Sequence, residues 1–196
     1  VRKGKLLILL TGMPCSGKSV IADICKSLGF IVINMGDVIR EEAKRRGLSL
    51  TRENLSKLAL ELRAREGANV VALRTLSKLS EILSKGYTKI VVDGVRSWEE
   101  VITFKENLKD WRIIVLAVHA SPRTRFRRAK ERRRSDDPRD FREFLKRDLE
   151  ELKLGIGNVI ALADVIIINE DKEIGELKDI VRNLLVRIND GSRGKS

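Results

Sequence analysis

The stretch Gly12-Met13-Pro14-Cys15-Ser16-Gly17-Lys18-Ser19 constrains this chain more than any other. It reads G-x-x-x-x-G-K-S. An apolar run, Leu6 to Leu10, precedes it, and an amphipathic run through Val20, Ile21, Ile24 and Leu28 follows. Strand, glycine loop, helix is the context in which backbone N–H groups turn inward around an anion. The helix that opens near Gly17 adds the positive end of its dipole. In such a loop Lys18 reaches the β- and γ-phosphates of a nucleotide, and the Ser19 hydroxyl ligates Mg²⁺. The donor phosphates are expected on Gly12, Pro14, Cys15, Ser16, Gly17, Lys18, Ser19 and Val20.

The rest of the chain alternates apolar strands with amphipathic helices. Strands are predicted at about Lys5–Leu10, Phe30–Asn34, Lys89–Asp93, Arg112–His119 and Val165–Ile168. Phe30–Asn34 is apolar enough to be buried on both faces. Helices are predicted from Gly17 to Leu28, from Asp37 as N-cap to about Gly47, from Thr51 to Gly67, and from Val70 to Gly86. Further helices follow Trp98 and start at Pro122. One then presents Phe141, Phe144, Leu145, Leu149 and Leu152 on one face, and a short turn of helix at Asn158–Ala163 follows an interruption at Gly155 and Gly157. A periodic closing helix runs from Ile174 to Ile188. This pattern predicts an α/β fold, a five-stranded parallel sheet with helices on both faces. The helices between the second and third strands exceed a simple crossover, so residues 36–86 read as a helical insert.

With 196 residues and 42% apolar content, one domain with a sizeable core is expected. No apolar run is long enough to span a membrane, and Leu6–Leu10 leads straight into the glycine loop, so the expected location is cytoplasmic. Cys15 and Cys25 have no metal-site spacing. The net charge of +12 calls for anionic partners. Part of the excess lies between Arg123 and Arg134, where Arg125, Arg127, Lys130 and Arg133 are expected to form a solvated basic face.

Asp93 closes an apolar strand, where an acid beside the loop holds Mg²⁺ together with the loop hydroxyl, here Ser19. Phosphoryl transfer otherwise needs positioned positive charge, and arginine's planar fork suits phosphate. Arg128 and Arg132 share a helix face at a four-residue spacing, and Arg134 lies at the helix break, where a lid could begin. His119, the single histidine, is assigned no role, and Trp98 and Trp111 read as packing residues.

From Lys5 to about Ile188 the chain resembles an archaeal family of phosphate-loop proteins related to adenylate kinases and dephospho-CoA kinases. The phrases that carry the resemblance are Thr11–Ser19, Met35-Gly-Asp-Val-Ile-Arg-Glu-Glu42, Val92-Asp-Gly-Val-Arg96, His119-Ala-Ser-Pro122, Arg134-Ser-Asp-Asp-Pro138 and Gly155-Ile-Gly157 with Ile160–Asp164. The resemblance implies the nucleotide-kinase variant of the phosphate-loop fold, with an acceptor-binding insert at 36–86 and a short helical lid at 128–147. Gly36, Asp37 and Arg40 resemble the segment that holds an acceptor nucleotide. Asp93-Gly94-x-Arg96 resembles the second acceptor motif D-G-F-P-R, one residue shorter, and Arg63 joins Arg40 and Arg96 around the acceptor. Pro122 with Arg128 and Arg132 resembles the helix that enters the lid, which puts Arg128 on the donor base and Arg132 on the donor phosphates. Arg134 and Arg147 resemble later lid arginines over the transferring group, and Asn169 resembles the last-strand position whose loop lies near the donor base.

The resemblance implies a phosphotransferase that uses ATP and Mg²⁺, with Lys18, Arg132, Arg134 and Arg147 at the transferring phosphoryl and an adenylate-type acceptor such as AMP. A hydroxyl acceptor, as in dephospho-CoA, would need a base, and Asp37 is the available carboxylate. A nucleic-acid-associated ATPase is the alternative suggested by charge. Against it stand 4% aromatic content and a basic run with no interleaved aromatics. A nucleotide-binding regulator without turnover is a third possibility.

Overall fold

The structure is a computed structural model, and it describes residues 4–132 and 137–189. The sheet strands are β1 (Leu6–Thr11), β2 (Ile31–Asn34), β3 (Lys89–Asp93), β4 (Arg112–His119) and β5 (Val165–Ile168). Their order is β2-β3-β1-β4-β5, and every neighbouring pair is parallel. The helices are α1 (Lys18–Ser27), α2 (Met35–Arg45), α3 (Arg52–Glu66), α4 (Val70–Ser84), α5 (Trp98–Asn107), α6 (Pro122–Arg132), α7 (Phe141–Lys153), α8 (Ile156–Ala161) and α9 (Ile174–Asn189).

Alternation along β1 divides the core. Leu7 and Leu9 point to a layer that contains Val92, Leu58, Leu62, Val70, Val71, Leu79 and Phe104. Leu6, Ile8 and Leu10 point to the other face, against α1 and α9 through Ile21, Ile24, Leu177 and Val181. Successive side chains leave a strand on opposite faces, and a central parallel strand must be apolar on both. The helices of residues 36–86 share the first layer with the sheet rather than forming a core of their own.

Four details differ from expectation. β2 is an edge strand and only Ile33 is fully buried, because β3 covers just one of its sides. The N-cap of α2 is Asn34, whose side chain accepts from Gly36 N–H at 2.8 Å, not Asp37, which lies in the helix's first turn. Gly157 lies inside α8, and only Gly155, at φ 98°, breaks the chain there. In α7 Phe144 is buried, whereas Leu145, Leu149 and Leu152 face outward. Phe126 of α6 sits 5.4 Å from Phe141 and 5.5 Å from Phe144 between ring centroids, and this contact fixes the rotation of α7. Trp111 is buried and Trp98 packs at the edge of the core, as expected.

Candidate phosphate-transfer site

β1 lies between β3 and β4 and ends in the glycine loop. In open parallel sheets ligands bind beyond the carboxyl ends of such strands. Two glycines are sterically required there. Gly12 has φ 146°, and a Cβ on it would run into the Val118 carbonyl oxygen of β4. Gly17 has φ 103°, and a Cβ there would overlap the Asn169 side-chain amide. Cys15 adopts φ 64°, a left-handed conformation that β-carbon-bearing residues rarely take.

Lys18 folds over its own loop, with Nζ donating to the Gly12 carbonyl at 2.5 Å and to Met13 at 3.2 Å. Burial lowers its pKa from the ordinary lysine value, and the charge of Asp93 opposes that effect. Asp93 ends β3 and is 9% exposed. Its Oδ2 accepts from Asn34 Nδ2 at 3.2 Å, while Oδ1 is buried with no hydrogen-bond partner among the described residues. Burial raises its pKa, against the opposing charges of Lys18 and Arg96. The Ser16 hydroxyl is likewise buried and unpartnered. Ser19, the second residue of α1, is exposed.

These groups fit Mg²⁺. An unsatisfied carboxylate oxygen and a hydroxyl are hard oxygen ligands, and Mg²⁺ characteristically takes one or two protein oxygens, phosphates and water. Among the described residues no cluster of three or more His, Cys, Asp or Glu could hold a metal by itself.

Among the residues expected to hold an acceptor, Arg40 reaches Asp37 Oδ1 through Nε at 3.0 Å and Nη2 at 2.6 Å, and its Nη2 lies 3.4 Å from Asn34 Oδ1. Gly36 sits beneath that guanidinium, where a Cβ would come within 3.1 Å of Arg40 Nη1. Arg96 pairs with Glu151 at 3.3 Å. Arg63 turns away: Nη2 meets Glu100 at 3.1 Å and Nη1 meets the Ala59 carbonyl at 3.2 Å. Glu100 is fully buried and also caps α5, so Arg63 is committed to holding α3 against α5.

Of the residues expected near the donor, Arg128 and Asn169 lie against the loop. Asn169 Nδ2 donates to the Ser16 carbonyl at 2.9 Å, and Arg128 reaches the Asn169 carbonyl at 2.9 Å and Ser16 at 3.5 Å. Arg132 pairs with Asp137, and Arg147 with Glu143. Pro14 accepts from Arg125 at 3.3 Å through its carbonyl. Val20 is half-buried on α1. Arg134 lies outside the described residues, as does Arg133.

Arg125 is the clearest departure from expectation. It is 3% exposed, not part of a solvated face, and is paired with Asp148 on α7 at 2.8 and 2.6 Å. No local signal marks it, because its partner is 23 residues away. Asn34 also escaped the sequence. Its signal, an Asn two residues before a glycine at a strand end, is a cap pattern that says nothing of the bond to Asp93.

A family profile described as an AAA domain matches residues 11–146, which places the chain among phosphate-loop proteins. A UPF0200 protein from Hyperthermus butylicus is 48% identical over 184 residues, covering 94% of this chain and 95% of that protein. The chain belongs to the UPF0200 family. Its fold is shared by TT1252 from Thermus thermophilus, at TM-score 0.64 and 21% identity over 95% of this chain and 99% of that one. The dephospho-CoA kinase from Campylobacter jejuni superposes with TM-score 0.57 at 16% identity, over 94% and 98% of the two chains. The five-stranded parallel sheet is thus the phosphate-loop kinase fold that the sequence predicted. Among the described residues, no helix is long and apolar enough to cross a membrane.

Proposed function

We propose that this protein is a cytoplasmic phosphotransferase that moves the γ-phosphoryl of ATP·Mg²⁺ to an adenylate-type small-molecule acceptor. The observation that carries this reading is the unpartnered Asp93 Oδ1 beside Lys18 at the carboxyl end of β3, next to the glycine loop. A buried polar atom without a partner is costly unless a ligand supplies one. Lys18 leaves its loop carbonyls and meets the donor phosphates, and the loop N–H groups neutralise charge on the same oxygens. Ser19 and Asp93 would hold Mg²⁺, which when bound would supply charge neutralisation to the phosphates. Arg40 and Arg96 hold the acceptor. Arg128, Arg132 and Arg147 serve the donor, and Arg134, outside the described residues, is expected to join them. Residues 36–86 supply the acceptor wall and residues 128–147 the lid.

A second reading concerns the acceptor atom. The Arg40 edge that would face an acceptor phosphate is occupied by Asp37. An incoming phosphate would meet that carboxylate, whereas a hydroxyl would find in it a base for its proton. The dephospho-CoA kinase named above supports this reading by likeness of fold, since dephospho-CoA is an adenylate derivative that accepts through a hydroxyl.

A coupled transfer assay with ATP·Mg²⁺ against nucleoside monophosphates and dephospho-CoA tests both. Transfer to AMP that survives Asp37→Asn supports a phosphate acceptor. Transfer to dephospho-CoA that Asp37→Asn abolishes, with acceptor binding intact, supports the hydroxyl. No product with any acceptor, together with tight single-stranded RNA binding that weakens with salt, would favour the nucleic-acid alternative.

A further inference from the structure

Two carbonyls of the glycine loop are held from outside by side chains. The Ser16 carbonyl accepts from Asn169 at 2.9 Å, and the Pro14 carbonyl accepts from Arg125 at 3.3 Å. The loop has no cis peptide bond. In a trans peptide the N–H points opposite to the C=O of the same plane. Fixing the Pro14 carbonyl toward α6 therefore turns the Cys15 N–H the other way, toward the space the loop encloses. Fixing the Ser16 carbonyl does the same for the Gly17 N–H.

The Arg125 guanidinium is held on several sides. Nε donates to the Ala120 carbonyl at 3.0 Å, Nη1 and Nη2 grip Asp148 at 2.8 and 2.6 Å, and the Phe144 ring lies 5.1 Å from its central carbon. Asp148 is 7% exposed. A buried ion pair is weak evidence for stability, since well-packed apolar residues can replace one at little cost. What this pair adds is a rigid donor aimed at the plane just before Cys15, the residue held at φ 64°.

We propose that Arg125, oriented by Asp148, is a positioning residue for the phosphate site: it fixes the Pro14–Cys15 peptide plane so that the Cys15 N–H is preset to receive a phosphate oxygen. This rests on the reading of the loop as a phosphate site, and it assigns to Arg125 no contact with substrate. A preset N–H needs no reorganisation when the anion arrives. The effect therefore falls on binding of the phosphate chain and is indifferent to the base.

Calorimetric titration of the full chain with ATP·Mg²⁺ and with inorganic tripolyphosphate, which has no base, tests this. The informative variant is the double replacement Arg125→Met/Asp148→Leu, which removes the donor without stranding a buried charge. Its affinity for both ligands should fall together by about tenfold, the scale of one charge-assisted hydrogen bond. Arg125→Lys keeps a donor and should recover part of the loss. Leu79→Ala, in the α4 core away from the loop, provides a destabilised control that should bind as wild type does. Wild-type affinity in a folded double variant would overturn the proposal, and so would loss of ATP binding with tripolyphosphate binding intact. If the wild-type protein binds neither ligand, the phosphate-site reading fails and the proposal with it. If wild type binds both and the double variant binds equally, only the positioning role fails.

Discussion

The glycine loop and the helical segment α2–α4 treat buried polar groups in opposite ways. Beside the loop, the Ser16 hydroxyl and one oxygen of Asp93 are buried and unpartnered, and burial pushes the Asp93 carboxyl above its ordinary range. In the helical segment, the nearly buried Glu42 is gripped by Arg45 at 2.7 Å, Arg46 at 2.6 Å and Arg74 at 3.2 Å, and its pKa falls to about 2. Arg46 continues to Glu61 and Arg74 to Glu66, which ties α2, α3 and α4 together. One region keeps hydrogen-bonding capacity in reserve, and the other consumes its charges internally. The contrast separates the candidate site from a scaffold whose charges are paired, and it assigns Arg45, Arg46 and Arg74 to that scaffold.

The strongest test removes the loop's cation. Lys18→Met should lower phosphoryl transfer by about 10³-fold or more, in line with deletion of charges that stabilise a transferring phosphoryl. Its melting temperature should stay close to wild type, because Lys18 is desolvated and, among the described residues, bonds only to its own loop. Collapse of the fold in this variant would break the comparison by making Lys18 a structural residue.

Glu42→Gln should do the reverse. It leaves three arginines around a neutral amide, and loss of a paired buried charge costs about 3 kcal/mol, or roughly 6–12 °C in melting temperature for a chain of this length. Transfer by the folded protein at 25 °C should be unchanged. Scanning calorimetry and an assay well below the transition check the two halves.

The same residue sets a pH dependence. Hydrogen bonds from Arg45 and then Arg46 hold Glu42 at about 2, below the 4.5 of a free glutamate. A carboxyl lowered in the folded state contributes stability that is fully present above about pH 4.5 and is lost as pH falls toward 2. Melting curves of wild type and Glu42→Gln should therefore converge across that window. A constant separation would mean that Glu42 acts through shape rather than charge.

How much of this was legible in the sequence depended on the range of the interaction. The loop, the five strands and their parallel sense rest on local periodicity and turn chemistry, so Gly12–Ser19 and Asp93 could be placed directly. The edge position of β2 could not, because what covers Val32 is decided by strand order rather than by its own residues. The face of α7 was misjudged for the same reason: Leu149 is as apolar as Phe144, but the contact with Phe126 selected Phe144. Arginine identity was the least legible feature. Arg63, Arg125 and Arg40 look alike in a basic chain, and only Glu100, Asp148 and Asp37 distinguish their uses.

The smallest expected effect concerns strain within the loop itself. Cys15 at φ 64° carries a steric penalty of about 1 kcal/mol that glycine avoids, partly offset by glycine's greater freedom in the unfolded chain. Cys15→Gly should therefore stabilise the protein by about 0.5 kcal/mol, raising the melting temperature by roughly 1–2 °C. In the helical segment Gly47, at φ 67°, already relieves the equivalent strain after α2, and Gly47→Ala there should destabilise by a similar amount. Opposite signs for the two substitutions would show that the loop retains a strained residue where the scaffold does not. If Cys15→Gly also weakens tripolyphosphate binding, the β-carbon is part of what holds the loop's shape; unchanged binding assigns that task to Arg125 and Asn169.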